Sequence, residues 1–412
     1  MKINKLFAGL VALIAGTAVL FAQTGTMSPY SGYGYGLLND NASATQRSMG
    51  GIGYAMNSGR QINVMNPASY ARIDSLTFLF DMGIDLSNMW ITEKNSNGNL
   101  SETNSSGGLD YVTLQFPLSK RIGMSAGILP YSTVGYGFAN EIENGYTSRS
   151  GSGSINKAYL GMGCKLFAGL SIGINVSYLF GNVIYDTYAV TDGGSTSLYE
   201  RKLQVRDYQL EGGLQYTLGF GYNRLTLGAV YTDGKKVLGR MYTYAHDVDA
   251  DSKMFEVGNE KLDDKYELPS TYGFGLNYQW RNNLMIEADF TYQPWAEVKY
   301  NGLTNQFDDR YKIAAGAQYQ PAARGSYLRR VQYRAGVFYD RDYIMVRDNN
   351  VREYGATIGL GLPIPNFKTV VNLGVGWLHR QTYPTAMITE DYINITIGVN
   401  FNEMWFRKSK IY

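Results

Sequence analysis

The sequence predicts an all-β protein, a 14-stranded antiparallel transmembrane β-barrel that occupies residues 76–412. Three observations lead to this fold class: the composition, a two-residue hydrophobic period, and the lengths of the joins between periodic segments. Of 412 residues, 35 are Tyr and 48 are Gly, whereas only 17% are charged. Such a composition favours strands, because helices are built mainly from residues such as Glu, Lys and Ala, and strands from aromatic and β-branched residues.

About fourteen segments after residue 75 alternate apolar residues with polar residues or glycines. The last of them, "DYINITIGVNF", places Ile393, Ile395 and Ile397 on one face and polar residues or glycine on the other. A strand that crosses a membrane beside a wet lumen has this period of two, and an even number of strands returns both ends to one side. The predicted strands lie near residues 76–87, 109–118, 121–131, 155–167, 169–181, 203–218, 222–232, 268–280, 283–293, 309–320, 328–340, 351–362, 367–379 and 389–403.

The joins between these segments alternate in length. Even-numbered joins are short, such as "SKR" and "FAG", whereas most odd-numbered joins are long, such as the Gly/Ser/Asn-rich stretch 88–108 and the acidic stretch 233–267. Outer-membrane barrels have short periplasmic turns and long external loops, and a soluble β-sandwich has no reason to alternate in this way. The polar face also carries charges such as Asp81, Glu287 and Arg310, which a wet lumen accommodates more easily than a dry core does.

Aromatic residues near the ends of the segments match the two interfaces of a membrane. Such girdles flank the apolar band of outer-membrane barrels. The residues concerned are Trp90, Tyr131, Tyr231, Trp280, Trp295, Tyr339, Trp377 and Trp405.

The N-terminus has the features of a secretory signal peptide, which is predicted over residues 1–22. Lys2 and Lys5 form a positive region, an apolar stretch follows up to Phe21, and the small residue Ala22 ends it. A retained membrane-anchoring helix is the alternative, but the stretch is short and no stop-transfer pattern follows. We therefore expect an exported chain.

Few residues could support catalysis or hold a cofactor. With only His246 and His379, histidine alone cannot supply a three-ligand zinc site, and no G-x-S-x-G elbow accompanies a phospholipase-like Ser/His pair that uses His379. The single cysteine, Cys164, falls on the apolar face of "YLGMGCKL", where a lipid-facing or packed thiol is expected. A net charge of only +2 attracts no nucleic acid. We therefore predict no enzyme activity, no cofactor and no nucleic-acid partner.

One acidic stretch is similar to the start of a calcium loop. "DVDADS" places Asp247, Asp249 and Asp251 at the first, third and fifth positions of such a loop. Ser252 then stands where the tight turn needs glycine, and Gly258 where a bidentate glutamate belongs. A solvated external loop is the favoured interpretation, and a weak divalent-cation site that bridges lipopolysaccharide is the alternative.

The third predicted strand contains a proline. In "RIGMSAGILPYSTVGYGF", Pro130 removes one donor from the hydrogen-bond ladder, and Gly135 and Gly137 follow. A proline in a closed barrel is tolerated at a strand end, at a bulge or at a break in pairing. Either the strand ends at Leu129, or a kinked strand leaves a gap in the wall.

The stretch "RSMGGIGYAMNSGRQINVMNPASYARI", which runs from Arg47 to Ile73, resembles the N-terminal plug, or hatch, of the FadL family of outer-membrane transporters of long-chain fatty acids and aromatic hydrocarbons. The matching motifs are a Gly-Gly pair and an Asn-Pro-Ala turn before the first strand. The residues concerned are Gly50, Gly51, Asn66, Pro67 and Ala68. Residues 57–60 depart from the acidic stretch of the family, and Ser69 replaces its usual glycine.

This resemblance implies a plug over residues 23–75 inside the lumen and a kink at Pro130 that opens a lateral exit beside the third strand. It also implies a place in the outer membrane of a Gram-negative bacterium and passive uptake of hydrophobic small molecules, fatty-acid-like or aromatic. The expected partners are outer-membrane lipids, the hydrophobic ligand and, during biogenesis, the barrel-assembly machinery.

Two other functions remain open from the sequence. A barrel of this family can serve as a scaffold or shuttle in protein secretion, because the type IX secretion shuttle protein resembles the same family; the acidic loop 233–267 would then be the docking surface. An open porin for small polar solutes would need a lumen free of the N-terminal segment. A transporter should hold an apolar pocket in its lumen, whereas a docking barrel needs only a closed one.

Overall fold

The structure is a computed structural model that describes residues 28–95, 98–167, 169–191, 196–247, 254–365 and 368–404. The predicted signal peptide, residues 1–22, and Trp405 lie outside these ranges. Within them, fourteen antiparallel strands form a closed barrel, because the last strand pairs with the first from Ile388 opposite Glu93 to Met404 opposite Thr77. The predicted fold class and strand number are confirmed.

The barrel strands are numbered in chain order, and each pairs with the next. They are β1 (Thr77–Asn95), β2 (Gly98–Pro117), β3 (Ile122–Ile142), β4 (Gly145–Phe167), β5 (Leu170–Thr191), β6 (Thr196–Phe220), β7 (Asn223–Thr232), β8 (Thr271–Trp280), β9 (Leu284–Gln293), β10 (Arg310–Tyr319), β11 (Gln332–Val346), β12 (Asn349–Pro363), β13 (Val370–Tyr383) and β14 (Ile388–Met404).

Short elements accompany the barrel wall. The helical turns are Pro29–Gly32 and Pro67–Arg72, both of the 3-10 type, and Ala44–Arg47 and Tyr327–Arg330, both α-helical. The short strands are Leu37–Leu38, Lys235–Lys236, Gly239–Asp247, Met254–Lys261 and Glu267–Leu268. Among the described residues, none of the helices has the length and hydrophobicity of a membrane-spanning helix.

The strands are much longer on one side of the barrel. β1–β6 contain 19 to 25 residues each, whereas β7–β10 contain 10 each. A tilted strand needs only about 9–11 residues to cross a bilayer, so roughly the outer half of β1–β6 projects beyond the membrane.

Two predicted loops contain strands instead. The prediction of a loop over residues 88–108 is wrong, because β1 and β2 form a hairpin across this stretch. In the stretch 233–267, the strands Gly239–Asp247 and Met254–Lys261 pair with each other, and the first also pairs with β6. These stretches are largely polar, with few apolar residues such as Met89 and Met241 buried on one face, so sequence patterning alone does not distinguish their strands from a loop.

The outer face of the barrel is apolar and its inner face is polar, as the two-residue period predicts. Along β8, for example, Phe274 and Leu276 are about half exposed, whereas the side chain of Asn277 is buried. Most of the aromatic residues predicted at the membrane interfaces are exposed, including Trp90, Trp280 and Trp377. The exposed band is the surface that a bilayer covers.

A large apolar cluster closes the end of the barrel where the long strands project. Trp295, Phe307 and Tyr343 form its aromatic centre. Tyr35, which precedes β1 in the chain, packs against Trp295 with a distance of 5.9 Å between the ring centroids. The prediction that Trp295 lies at a membrane interface is therefore wrong, since its side chain is fully buried. Local sequence could not show this, because the cluster joins residues from both halves of the chain.

Candidate functional site

The residues before β1, 28–76, are called the N-terminal segment. They contain the Asn-Pro-Ala motif, where Asn66 caps a 3-10 turn: its side-chain oxygen accepts a hydrogen bond of 3.0 Å from the backbone N–H of Ala68. Pro67 fits the first position of that turn, because its own missing N–H would have no partner there. Asn66, Pro67 and Ala68 are all buried. The motif is a rigid, self-capped turn.

The N-terminal segment binds inward-facing side chains from opposite sides of the barrel. Gly53 and Tyr54 donate backbone hydrogen bonds of 2.6 and 2.9 Å to the carboxylate of Asp289 on β9. On the far side, Ala44 donates a backbone hydrogen bond of 2.9 Å to the hydroxyl of Tyr111 on β2. The segment therefore contacts the polar face of the wall both at β2 and at β9.

The Gly-Gly motif lies against a different part of the wall from the Asn-Pro-Ala motif. Gly50 and Gly51 have φ values of +77° and +81°, which only glycine adopts easily. Gly50 donates a backbone hydrogen bond of 2.8 Å to the hydroxyl of Thr357 on β12. The turn Pro67–Arg72, in contrast, packs mainly on β4, β5 and β6. The two motifs therefore contact separate arcs of the barrel rather than one shared site.

Inward-facing glycines of the barrel make room for the backbone of the N-terminal segment. A Cβ atom added to Gly173 on β5 would lie 2.3 Å from the carbonyl of Pro67, and one added to Gly336 on β11 would lie 2.1 Å from the carbonyl carbon of Met49. Such distances are shorter than any van der Waals contact. The glycine-rich face of the strands, visible in the sequence, is therefore where the segment's backbone contacts the wall.

Ion pairs attach the segment to the wall at two further places. Asp40 contacts the ammonium group of Lys312, and its other oxygen lies 3.7 Å from the guanidinium of Arg310. Arg47 forms a 2.8 Å pair with Asp110 on β2. Burial alone would raise the pKa of Asp40, but Lys312 and Arg310 together lower that pKa from 3.8 to about 2. The ionised form of Asp40 therefore stabilises the attached segment.

The contribution of Asp40 to the attachment is expected to be constant above about pH 4 and to be lost as the pH falls from about 4 to about 2. Because the pKa of Asp40 is lower in the folded state than in a detached segment, the stabilisation is lost when the carboxylate takes up a proton. Conductance of the full chain in planar bilayers should rise over this pH range. In an Asp40→Asn variant the rise should be absent, and an equal response of both proteins would contradict the assignment.

The wall is incompletely paired between β2 and β3. The two strands pair only from Val112 opposite Ile128 to Pro117 opposite Gly123, although each has at least 20 residues. The interpretation that the third strand ends at Leu129, just before Pro130, is wrong. β3 continues to Ile142 and stays paired with β4, with a bulge next to Pro130. The chain thus has a break in pairing on one side of β3 only.

Part of this open edge of β3 is occupied by the N-terminal segment. Leu37 and Leu38 form a two-residue antiparallel pair with Thr133 and Ser132. Gly135, one of the predicted site residues, is buried, and Ser31 binds both its N–H and its carbonyl with hydrogen bonds of 2.9 Å.

Gly137 is exposed, with open space where a Cβ would be. Neither Gly135 nor Gly137 has a positive φ, so glycine is not required there to bend the strand. The sequence analysis missed Ser31, Leu37 and Leu38, whose only local signal is a pair of leucines after "GYGYG".

Two cavities inside the barrel, of about 240 and 90 Å³, lie beside the N-terminal segment. The larger one reaches the break between β2 and β3, where it is lined by Asn104, Ser105 and Thr133. Both cavities have mixed linings, in which apolar residues such as Met89 and Phe338 in the larger cavity and Met65 in the smaller one stand beside charged side chains. Those of the larger cavity are Asp40, Arg47, Asp85, Lys312, Glu353 and Arg380; those of the smaller are Asp40, Lys157, Glu211, Asp289, Arg310 and Lys312.

The remaining candidates from the sequence are the acidic stretch around Asp249, Cys164 and His379. Asp249 and Asp251 are outside the described residues, as is the side-chain environment of Asp247, so both the solvated-loop interpretation and the alternative cation site stay untested. Cys164 lies on β4 and is partly exposed, among outward-facing apolar residues. His379 contacts the carboxylate of Asp391, with Nδ1 and Oδ1 2.8 Å apart.

Several solved structures share the fold of this barrel. The toluene transporter TodX of P. putida is 15% identical, with a TM-score of 0.64 over 89% of this chain and 99% of that chain. The monoaromatic hydrocarbon channel CymD is 15% identical, with a TM-score of 0.61 over 90% and 100% of the two chains. A Pseudomonas aeruginosa FadL homologue is 11% identical, with a TM-score of 0.62 over 92% and 99%. At such identities the likeness shows the fold alone.

No curated protein matches the sequence significantly. A sequence profile of the BamG family, however, matches residues 2–412. A closed 14-stranded barrel with an apolar outer face is the architecture of outer-membrane proteins. The chain therefore belongs to the BamG family and has the outer-membrane β-barrel fold of FadL-type channels.

Proposed function

We propose that this chain is a closed barrel in the outer membrane of a Gram-negative bacterium, which acts through contacts with the barrel-assembly machinery rather than by passing cargo through its lumen. The observation that carries the proposal is the content of the lumen. The N-terminal segment contacts the inner face of the wall on opposite sides, the aromatic cluster around Trp295 covers the projecting end, and two cavities beside the segment are small, with charged side chains in their walls.

An apolar ligand would gain little in such cavities. A pocket for a hydrophobic small molecule is usually lined by apolar side chains and has about 300–1,000 Å³ of space. The larger cavity here has about 240 Å³ and six charged residues on its wall. Placing a hydrocarbon there would displace water from charged groups without replacing their hydrogen bonds. A barrel that serves as a binding partner needs only a closed lumen, and the plug role of the N-terminal segment meets that need.

The partner is inferred from the family. The name BamG links the family to the barrel-assembly machinery, which inserts β-barrels into the outer membrane. The machinery would then be a lasting partner, and not only the complex that assembles this chain.

Purification of the tagged full chain from native membranes tests this proposal. The core barrel of the assembly machinery should co-purify, whereas an abundant unrelated outer-membrane barrel should not. Depletion of the chain should lower the amounts of several other outer-membrane barrels. Normal amounts of these barrels after depletion, or a chain that purifies without the machinery, would overturn the proposal.

A second candidate function, passive uptake of a fatty-acid-like or aromatic compound with lateral release, is supported by the break between β2 and β3. The larger cavity reaches the break at Asn104 and Thr133, next to the membrane-spanning part of the wall. A hydrophobic ligand that leaves there for the adjoining bilayer would avoid full exposure to water.

Replacing Pro130, Gly135 and Gly137 with valine restores a donor and a regular strand on β3. If the chain is an uptake channel, entry of a hydrophobic tracer into cells should fall in this variant while its binding to purified protein persists. Unchanged uptake in a folded variant would remove this candidate.

A further inference from the structure

Beyond the membrane, β2 and β3 present two unpaired strand edges to each other. Among the described residues above Val112 and Ile128, β2 pairs with β1 alone, as far as Gly98, and β4 is the only barrel strand that pairs with β3, as far as Ile142. The lower part of the β3 edge is occupied by residues 31–39 of the N-terminal segment. The upper part runs from residue 136 to residue 142, and the corresponding unpaired part of β2 is residues 98–106. These two stretches are called the external slot.

The backbone groups of β3 that point into the external slot can be identified. Tyr131 accepts a backbone hydrogen bond from Asn39, and Gly135 binds Ser31 through both its N–H and its carbonyl. Because backbone groups alternate in direction along a strand, those of Gly137, Ala139 and Glu141 point the same way. No described residue pairs with these groups. Three donors and three acceptors thus stand in a row at an exposed edge.

The β3 edge already binds one strand of this chain. Leu37 and Leu38 are seated on it as an added antiparallel strand, opposite Thr133 and Ser132. The external slot continues the same edge of β3 from residue 136, directly after Gly135. The external slot therefore has the geometry to pair with a further extended segment. The strand Leu37–Leu38 on the neighbouring part of the edge shows that an extended polypeptide fits there.

The edges of the external slot carry little of the usual protection against strand addition. Natural edge strands are protected by charged side chains, above all lysine, by proline or by bulges, because an open edge pairs with other chains. The stretches "GNLSETNSS" on β2 and "YGFANEI" on β3 contain no lysine, arginine or proline. Each stretch has a single charged residue, Glu102 on β2 and Glu141 on β3. The pairing of β3 with β4 is regular from residue 132 to residue 142. An open edge of this kind promotes aggregation, and so lowers the solubility of the protein, unless another segment binds it.

We propose that the external slot binds an extended polypeptide segment of a partner protein at the cell surface by β-strand addition. Main-chain hydrogen bonds would provide the affinity, so many sequences could bind, provided that they lack proline at alternate positions. This inference goes beyond the proposed function, because it needs neither the assembly machinery nor a particular state of the lumen.

The test uses the full chain in detergent and a fluorescein-labelled peptide of this protein's own last strand, "TEDYINITIGVNFNE", as the probe. Ala139→Pro removes one N–H from the slot and leaves the β3–β4 ladder intact, whereas Ala139→Val keeps that N–H. Fluorescence anisotropy should show saturable binding that is weakened about tenfold by the proline and little by the valine. Equal affinity of the two variants, or no binding at all, would overturn the proposal.

A cross-link locates the peptide even if the proline variant fails to fold. In a Cys164→Ser background, Ala139→Cys should form a disulfide with a peptide that carries one central cysteine. Gly219→Cys, on β6 near the opposite end of the barrel, is the matched control and should not react. A cross-link at Gly219→Cys as strong as that at Ala139→Cys would also overturn the proposal.

Discussion

Substitution of Gly173 by valine is expected to displace the Asn-Pro-Ala turn from the lumen while the barrel remains assembled. The added Cβ alone would lie 2.3 Å from the carbonyl of Pro67, and the wall strand cannot retreat because it is hydrogen-bonded on both sides. Valine itself favours a strand, so β5 should not be weakened. The N-terminal segment must therefore move.

The displacement can be measured by chemical labelling. In a Cys164→Ser background, Ala68→Cys should resist a bulky maleimide, because Ala68 is fully buried. With Gly173→Val added, labelling should become rapid. Gly219→Val is the control, since a Cβ at Gly219 would meet nothing within 4 Å. If Ala68→Cys stays protected beside Gly173→Val, the turn does not depend on the contact with Gly173.

Deletion of residues 24–70 is expected to convert a closed barrel into a conducting one. The deletion leaves every strand of the wall in place, and it removes Tyr30, Tyr35 and Leu37 from the apolar cluster that closes the projecting end. The charged groups of the inner face would then line a wet pore. Single-channel conductance in planar bilayers should rise roughly tenfold or more over the full chain.

Assembly of the shortened barrel must be shown first, by heat-modifiable migration on a gel and by a β-type far-ultraviolet spectrum. If an assembled deletion variant conducts no better than the full chain, another element closes the lumen. The aromatic residues Trp295, Phe307 and Tyr343 would then be the next to remove, because they stay packed together without the N-terminal segment.

The sequence predicts the membrane-spanning parts of the strands well, for a physical reason. Lipid on one side and a wet lumen on the other impose a period of two, which is why segments such as 271–280 and 389–403 are recognisable. The projecting halves of β1–β6 are not covered by lipid on their outer face, so the period that lipid imposes is weaker there. The stretch 88–108 therefore has the composition of a loop although it forms a hairpin.

The contacts of the N-terminal segment could be predicted only in part. The rigid turn at Asn66 and Pro67 is encoded locally, because the cap and the fixed φ of proline need no distant partner. The position of this turn against Gly173, in contrast, depends on the register of strands that lie more than a hundred residues away in the sequence. The pairing of Leu37 with Thr133 and the burial of Trp295 depend on such distant contacts as well, and no local pattern reveals them.

The measurement that tests the account most directly is a reversible lock on the N-terminal segment. Ser48 Cβ lies 3.2 Å from where a Cβ on Gly374 would stand, close to the spacing of a disulfide, so Ser48→Cys with Gly374→Cys should join the segment to β13. In a Cys164→Ser background, cells that carry only the locked chain should contain normal amounts of other outer-membrane barrels. Loss of these barrels when the disulfide forms, with recovery on reduction, would contradict a closed barrel that works through contacts alone.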